Sequence, residues 1–231
     1  MCRMFGLAAA RPVALRDLLC EAPRSLRALS HEHRDGWGVA IQTGAGWRID
    51  RDTTTAAACA RYLELASTDA TLAIAHVRNR TVGETSLSNT HPFRRGRFVF
   101  AHNGTVRDLA AVVVRSAPEQ LAAIEGDTDS ERLFAFVLTH IDEAGDIARG
   151  VAAAVRALHA ITDVGSVNFL LSCGARLYAH RLGRSLYTLR RDDVSVVASE
   201  PLTDEPWLEL GERQLVVLDG VERLHDLRSA A

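Results

Sequence analysis

The chain has 231 residues, 47% of them hydrophobic and 24% charged, which is the balance of an ordinary globular protein large enough to bury a substantial core. A formal net charge of −2 leaves no electrostatic footprint for nucleic acid, and no apolar run reaches the roughly 20 residues that span a bilayer. The start of the chain lacks the apolar core and cleavage site of a secretion leader, and four cysteines at 2, 20, 59 and 173 form no CxxC pair, so we expect a cytoplasmic protein with reduced thiols, no disulfide framework and no zinc site.

Residues 3–10 are short and apolar and read as a first strand. Leu15, Leu18, Leu19, Leu26 and Leu29 fall near helical spacing, so residues 13–29 read as a helix that Pro23 should break. Residues 36–42 and 47–50 read as a hairpin around Gly44-Ala45-Gly46. The alanine-rich stretch 53–66 reads as helix. Compact apolar runs at 72–77 and 98–102 read as buried strands, with a polar loop containing Pro92 between them. Thr128, followed by acids and then by Leu133, Phe134, Phe136, Val137 and Leu138, has the signature of a helix start. A second helix is expected over 147–160. Strands follow at 167–173, 176–182, 186–190 and 195–198, with a pair after Trp207. Paired helices among mixed strands, without βα alternation, predict an α+β fold in one domain over 1–231.

The chemistry begins at Cys2. Removal of Met1 would leave a cysteine carrying its own α-amine, a nucleophile beside a base of pKa about 7.7–8.0. The bland reading is a strand residue, since isolated buried cysteines are usually structural. Ala101-His102-Asn103-Gly104-Thr105 follows an apolar run. An asparagine amide and a glycine N–H at a strand end can supply two donors to a developing oxyanion, although Asn-Gly is also ordinary hairpin chemistry. Arg78, emerging from the 72–77 strand, suits a bidentate grip on a carboxylate, and Asp129 at a helix start suits an ammonium. Together they would hold an amino acid's α-carboxylate and α-amine, while a surface ion pair and a helix cap are the plain alternatives.

Taken in order, the motifs resemble class II glutamine amidotransferases of the N-terminal-nucleophile hydrolase superfamily. The resemblance is carried by Met1-Cys2-Arg3-Met4-Phe5-Gly6, Asp35-Gly36-Trp37-Gly38, His76-Val77-Arg78, Asn89-Thr90-His91-Pro92-Phe93, Ala101-His102-Asn103-Gly104 and Thr128-Asp129-Ser130-Glu131. Val197-Ala198-Ser199-Glu200-Pro201-Leu202 looks like the late strand of the short, stand-alone branch, which includes YafJ-like and EgtC-like proteins and a fungal glutathione-degrading partner. The resemblance implies a four-layer αββα sandwich with Cys2 as nucleophile and its α-amine as base. It further implies Asn103 and Gly104 as oxyanion hole, Arg78 and Asp129 as ligands of the α-carboxylate and α-amine, and His91 as a wall of the substrate pocket. Asp35 and Trp37 read as structural. No cofactor is implied. The substrate would be glutamine or another γ-glutamyl small molecule, cleaved through a γ-glutamyl thioester.

Two departures matter. Synthase-linked members have Arg-Trp-Ala where this chain has Arg78-Asn79-Arg80. No synthase domain is recognisable in the chain, so an ammonia-using pathway would require a synthase or peptidase partner subunit, and an oligomer is compatible with the alanine-rich helices. A non-catalytic glutamine-sensing subunit is the competing reading, against which Cys2, Asn103 and Gly104 stand together. Metal chemistry from His31-Glu32-His33 and Asp35 lacks the helical His-Glu-x-x-His spacing.

Overall fold

The computed structural model describes residues 2–80, 83–219 and 225–226. In chain order the elements are β1 (Arg3–Ala14), α1 (Leu26–Leu29), β2 (Trp37–Thr43), β3 (Gly46–Asp52), α2 (Ala60–Ala66), β4 (Asp69–Val77), β5 (Phe93–Arg95) and β6 (Phe98–Val106). They continue with α3 (Leu109–Val113), α4 (Pro118–Ala122), α5 (Asp129–Ala144), α6 (Ile147–His159), β7 (Gly165–Ser172) and β8 (Leu177–His180). β9 (Tyr187–Arg191), β10 (Val194–Ala198), β11 (Leu208–Glu209), β12 (Leu215–Leu218) and β13 (His225–Asp226) complete the order.

The strands form two antiparallel sheets. One runs β11-β9-β10-β1-β4-β2-β3, and the other β13-β12-β8-β7-β6-β5. Alternation along each strand sends side chains to opposite faces, and three apolar layers result. Phe5, Leu7, Val39, Ala73 and Ala75 of the first sheet pack against Leu18, Leu26, Tyr62 and Leu65 of the short helical segments outside it. Met4, Ala40 and Ile74 of the first sheet meet Val99, Ala101, Leu170 and Ala179 of the second. Phe100, Phe169 and Tyr178, on the outer face of the second sheet, meet α5 and α6 through Phe134, Val137, Val151 and Leu158. The expected αββα sandwich is therefore the observed architecture.

The outer helical layers are unequal. α5 and α6 are long and amphipathic, start at Thr128 and Asp146 caps, and pack so closely that a Cβ on Gly150 would lie 2.3 Å from the Ile141 Cα. The layer over the first sheet departs from expectation. β1 continues through Val13 and Ala14, which pair with Ala70 and Asp69 after a bulge. The leucine pattern beyond it is then satisfied by a single π-type turn over Asp17–Glu21 and the one-turn α1, with Pro23 between them. The 53–66 helix is likewise divided: Cys59, extended at φ −96° and ψ 113°, separates a 3₁₀ turn over Ala56–Ala58 from α2. The strand pair expected after Trp207 is split between sheets, β11 pairing with β9 and β12 with β8.

Candidate active site

The chain entering β1 carries Cys2 to one end of the first sheet. Pairing of Arg3 with Val77 brings it alongside the residues that follow β4, and the Cys2 Sγ sits 3.4 Å from the Asn79 N and 3.5 Å from the Asn79 O. Arg3 holds the strand start by donating from Nε to Glu200 Oε1 at 3.1 Å and from Nη1 to its neighbour's carbonyl, Cys2 O, at 3.1 Å. Burial pushes the Cys2 thiol pKa up, while the Asn79 peptide and the Arg78 guanidinium pull the other way. Met1 lies outside the described residues.

Arg78 is 3% exposed. Its backbone extends the sheet edge, donating to Gly36 O and accepting from Asp35 N, and its Nη1 donates to Glu84 O at 3.0 Å. Asp35 accepts from Arg80 N at 2.8 Å through Oδ2. Trp37 packs edge-on against Tyr62 at 5.2 Å in the outer layer. Asp35 thus braces the turn that follows Arg78, and Trp37 is a packing residue of the outer core.

The second sheet contributes β6. Asn103 and Gly104 lie within this strand, opposite Asn168 and Val167 of β7, so the hairpin-turn reading of Asn-Gly is corrected. The strand runs on to Val106 because it stays paired with β7, and because Gly104 has no Cβ. A Cβ there would lie 1.9 Å from the Ser166 carbonyl oxygen. The Asn103 side chain faces the first sheet, and its Nδ2 donates to Ser199 Oγ at 3.3 Å. Ser199 Oγ also accepts from Met4 N at 3.0 Å, which links Asn103 to the strand that follows Cys2. β5 covers only Phe98–Phe100. Beyond it the outer edge of β6 is open, and Val106 N there donates to Asp129 Oδ2 at 2.8 Å. Strand alternation puts the Gly104 N–H on that same edge.

Asp129 is the first residue of α5, 6% exposed. Thr128 caps the helix by accepting from Glu131 N at 3.3 Å. The Glu131 carboxylate does not close a capping box. It accepts instead from Glu125 N and Gly126 N at 2.8 and 2.7 Å, fixing the loop that leads to Asp129. Asn89 ties that loop to the one after Arg78, donating to Glu84 O and Asp127 Oδ1 and accepting from Asp127 N. His91, 4% exposed, packs at a tilt between His76 and Phe93 with centroid distances of 4.4 and 4.3 Å.

Cys2, Arg78, His91, Gly104 and Asp129 line one cleft, shared with Asn79, Asn89, His102, Thr128 and Ser130. The cleft thus brings together five of the six sequence-predicted residues; Asn103 is not among its lining, and its side chain is turned toward Ser199. Asn79, Ser130 and Ser199 are neighbours of the site that side-chain type does not single out. Asn79 meets Cys2 through its peptide group, which no side-chain pattern reveals. For Ser130 and Ser199 the available signal is their place next to Asp129 and at the end of the 195–198 strand. His33 is buried and His31 exposed at a turn. Among the described residues, no group of three His, Cys, Asp or Glu side chains is placed to share a metal ion. No described helix is long and apolar enough to cross a membrane.

A sandwich of two antiparallel sheets between helical layers, with a cysteine leading its central strand into the cleft, is the architecture of N-terminal-nucleophile hydrolases. A family model for class-II glutamine amidotransferases matches residues 1–194. The chain belongs to that family, whose members act on carbon–nitrogen amide bonds. It is 34% identical over 232 residues to the gamma-glutamyl-hercynylcysteine sulfoxide hydrolase of Mycobacterium tuberculosis strain CDC 1551, covering 94% of this chain and 92% of that one. It is 26% identical over 265 residues to a putative glutamine amidotransferase of Haemophilus influenzae, covering 98% and 87%. Among solved structures, a glutamine aminotransferase class-II domain protein from Silicibacter pomeroyi has the same fold, with a TM-score of 0.69 at 23% identity over 97% of this chain and 98% of that one.

Proposed function

We propose that the chain hydrolyses the γ-amide of a γ-glutamyl compound, free glutamine included, through a γ-glutamyl thioester on Cys2. The observation that carries this reading is the shared cleft of Cys2, Arg78, Gly104 and Asp129. In the cycle, the α-amine of a mature Cys2 takes the thiol proton and the sulfur attacks the γ-carbonyl carbon. The Asn103 amide and the Gly104 N–H stabilise the oxyanion. The tetrahedral intermediate collapses with cleavage of the C–N bond, and the protonated α-amine returns its proton to the leaving nitrogen. Water then cleaves the thioester, releasing the glutamate moiety and restoring the thiol. Arg78 grips the α-carboxylate and Asp129 the α-ammonium, while His91 walls the pocket. These contacts recognise only the glutamyl end, so the leaving group can be ammonia or a larger amine.

Similarity to the mycobacterial hydrolase over nearly its whole length supports a larger γ-glutamyl amide, cleaved outright. Similarity to the Haemophilus protein supports free glutamine, in which case the ammonia passes to a synthase partner. The test is glutamate release from a panel of γ-glutamyl amides and glutamine, with Cys2→Ala as control. Turnover of at least one member, abolished in Cys2→Ala, is the expected result. Turnover that survives Cys2→Ala contradicts the mechanism, and a preference for glutamine by orders of magnitude assigns ammonia supply rather than outright hydrolysis.

A further inference from the structure

The surroundings of Asp129 impose a direction on a single hydroxyl proton. Of the two carboxylate oxygens, Oδ2 already accepts from Val106 N at 2.8 Å. Oδ1 lies 3.4 Å from Ser130 Oγ, and that hydroxyl lies 2.8 Å from His102 Nδ1. Ser130 has one proton and two neighbours that could take it. The far side of the imidazole decides between them. His102 Nε2 is 3.2 Å from the Ser166 carbonyl oxygen, which can only accept, so Nε2 carries the hydrogen. Burial lowers the ring's pKa, against the pull of the Asp129 carboxylate and the Ser166 carbonyl. A neutral ring has one N–H, which leaves Nδ1 as an acceptor and directs the Ser130 proton to it. The contact with Ser166 exists because position 104 is glycine: a Cβ there would meet the Ser166 oxygen at 1.9 Å and His102 Nε2 at 2.9 Å.

We propose that His102 is a positioning residue for substrate selection. It draws the Ser130 hydroxyl proton away from Asp129, so that Asp129 Oδ1 and the Ser130 lone pairs face the cleft together as acceptors for the substrate's α-ammonium. This rests on the reading of Asp129 as the ammonium ligand. An ammonium brings three donors and no acceptor, so the pair matches it and repels a group that brings only lone pairs. Both His102 and Ser130 line the cleft. Without the Nδ1 acceptor, the Ser130 hydroxyl turns to Asp129 Oδ1 and forms a charge-assisted hydrogen bond, which an incoming ammonium must displace. The effect falls on binding. The reacting carbonyl, held at Cys2 and Gly104, is untouched.

His102→Phe should raise KM for the best γ-glutamyl substrate about tenfold or more with kcat nearly unchanged. His102→Asn, which restores a side-chain acceptor, should recover most of the loss. KM for the corresponding γ-amide lacking the α-amine should not respond to either variant, and in a Ser130→Ala background His102→Phe should add nothing further. Equal KM increases with and without the α-amine, or a fall in kcat alone, would overturn the proposal. Imidazole nitrogen NMR of the intact protein gives a readout independent of turnover, with the His102 signals assigned by loss in His102→Asn. A neutral ring with hydrogen on Nε2 is expected, and hydrogen on Nδ1 would overturn the inference. Absence of wild-type turnover on every γ-glutamyl amide would instead overturn the hydrolase reading, leaving the tautomer result to decide this one.

Discussion

At the residue scale, Cys2, the proposed nucleophile, is held in conflicting surroundings. Burial pushes the Cys2 thiol pKa up, and the Asn79 peptide and Arg78 only partly offset it. Such a thiol needs a base within reach, and the α-amine of a processed chain would be the base closest to hand. Asn103 is the proposed oxyanion donor. One amide hydrogen goes to Ser199 Oγ, which orients the side chain, and the proposed cycle uses the other. Asn103→Ala should therefore lose roughly 10²–10³ in kcat, about 3–4 kcal/mol of transition-state stabilisation. The lost hydrogen bond to Ser199 should cost only about 1 kcal/mol of stability. Steady-state kinetics beside a thermal melt separate the two effects, and a folded variant with wild-type kcat would remove Asn103 from the mechanism.

At the element scale, what could be read from sequence depended on how much each element owes to its neighbours. α5 and α6 declare themselves through caps and an apolar stripe, because these features act locally. The leucines between 15 and 29 also have helical spacing, yet they cover the first sheet from a π-type turn and α1, since burial asks only that the apolar groups face inward. Asn103-Gly104 carries turn chemistry but lies inside β6, where contact with Ser166 rather than local preference requires the glycine. The side chains of the site were legible as types at ordered positions. What Asn79 supplies through its peptide, and Gly104 by lacking a Cβ, follows only from packing. The same logic applies to Gly150 in α6. Alanine there would favour an isolated helix by about 1 kcal/mol, but its Cβ would collide with the Ile141 backbone. Gly150→Ala should accordingly destabilise the protein by about 1–3 kcal/mol, seen as a lower urea midpoint. A midpoint at or above wild type would show that α5 and α6 can separate without cost.

At the scale of the whole molecule, the site belongs to no single layer. Cys2 and Arg78 come from the ends of adjacent strands in one sheet, Asn103 and Gly104 from a strand of the other, and Asp129 from the helix laid over that second sheet. The inter-sheet core of Met4, Ile74, Ala101 and Leu170 holds the sheet that carries Cys2 and Arg78 against the one that carries Asn103 and Gly104, while the bond from Val106 N to Asp129 registers the helix against them. The cleft therefore depends on the packing of the two sheets against each other and of α5 against the second. In the proposed cycle a processed Cys2 is the γ-glutamyl-directed nucleophile. Its most direct test is the intact mass of the purified protein before and after exposure to a diazo-ketone norleucine analogue of glutamine, followed by peptide mapping. The expected result is a chain lacking Met1 that gains one adduct, located on Cys2. Full hydrolytic activity from a chain that retains Met1, or a stoichiometric adduct on Cys20, Cys59 or Cys173 with Cys2 unmodified, would contradict it.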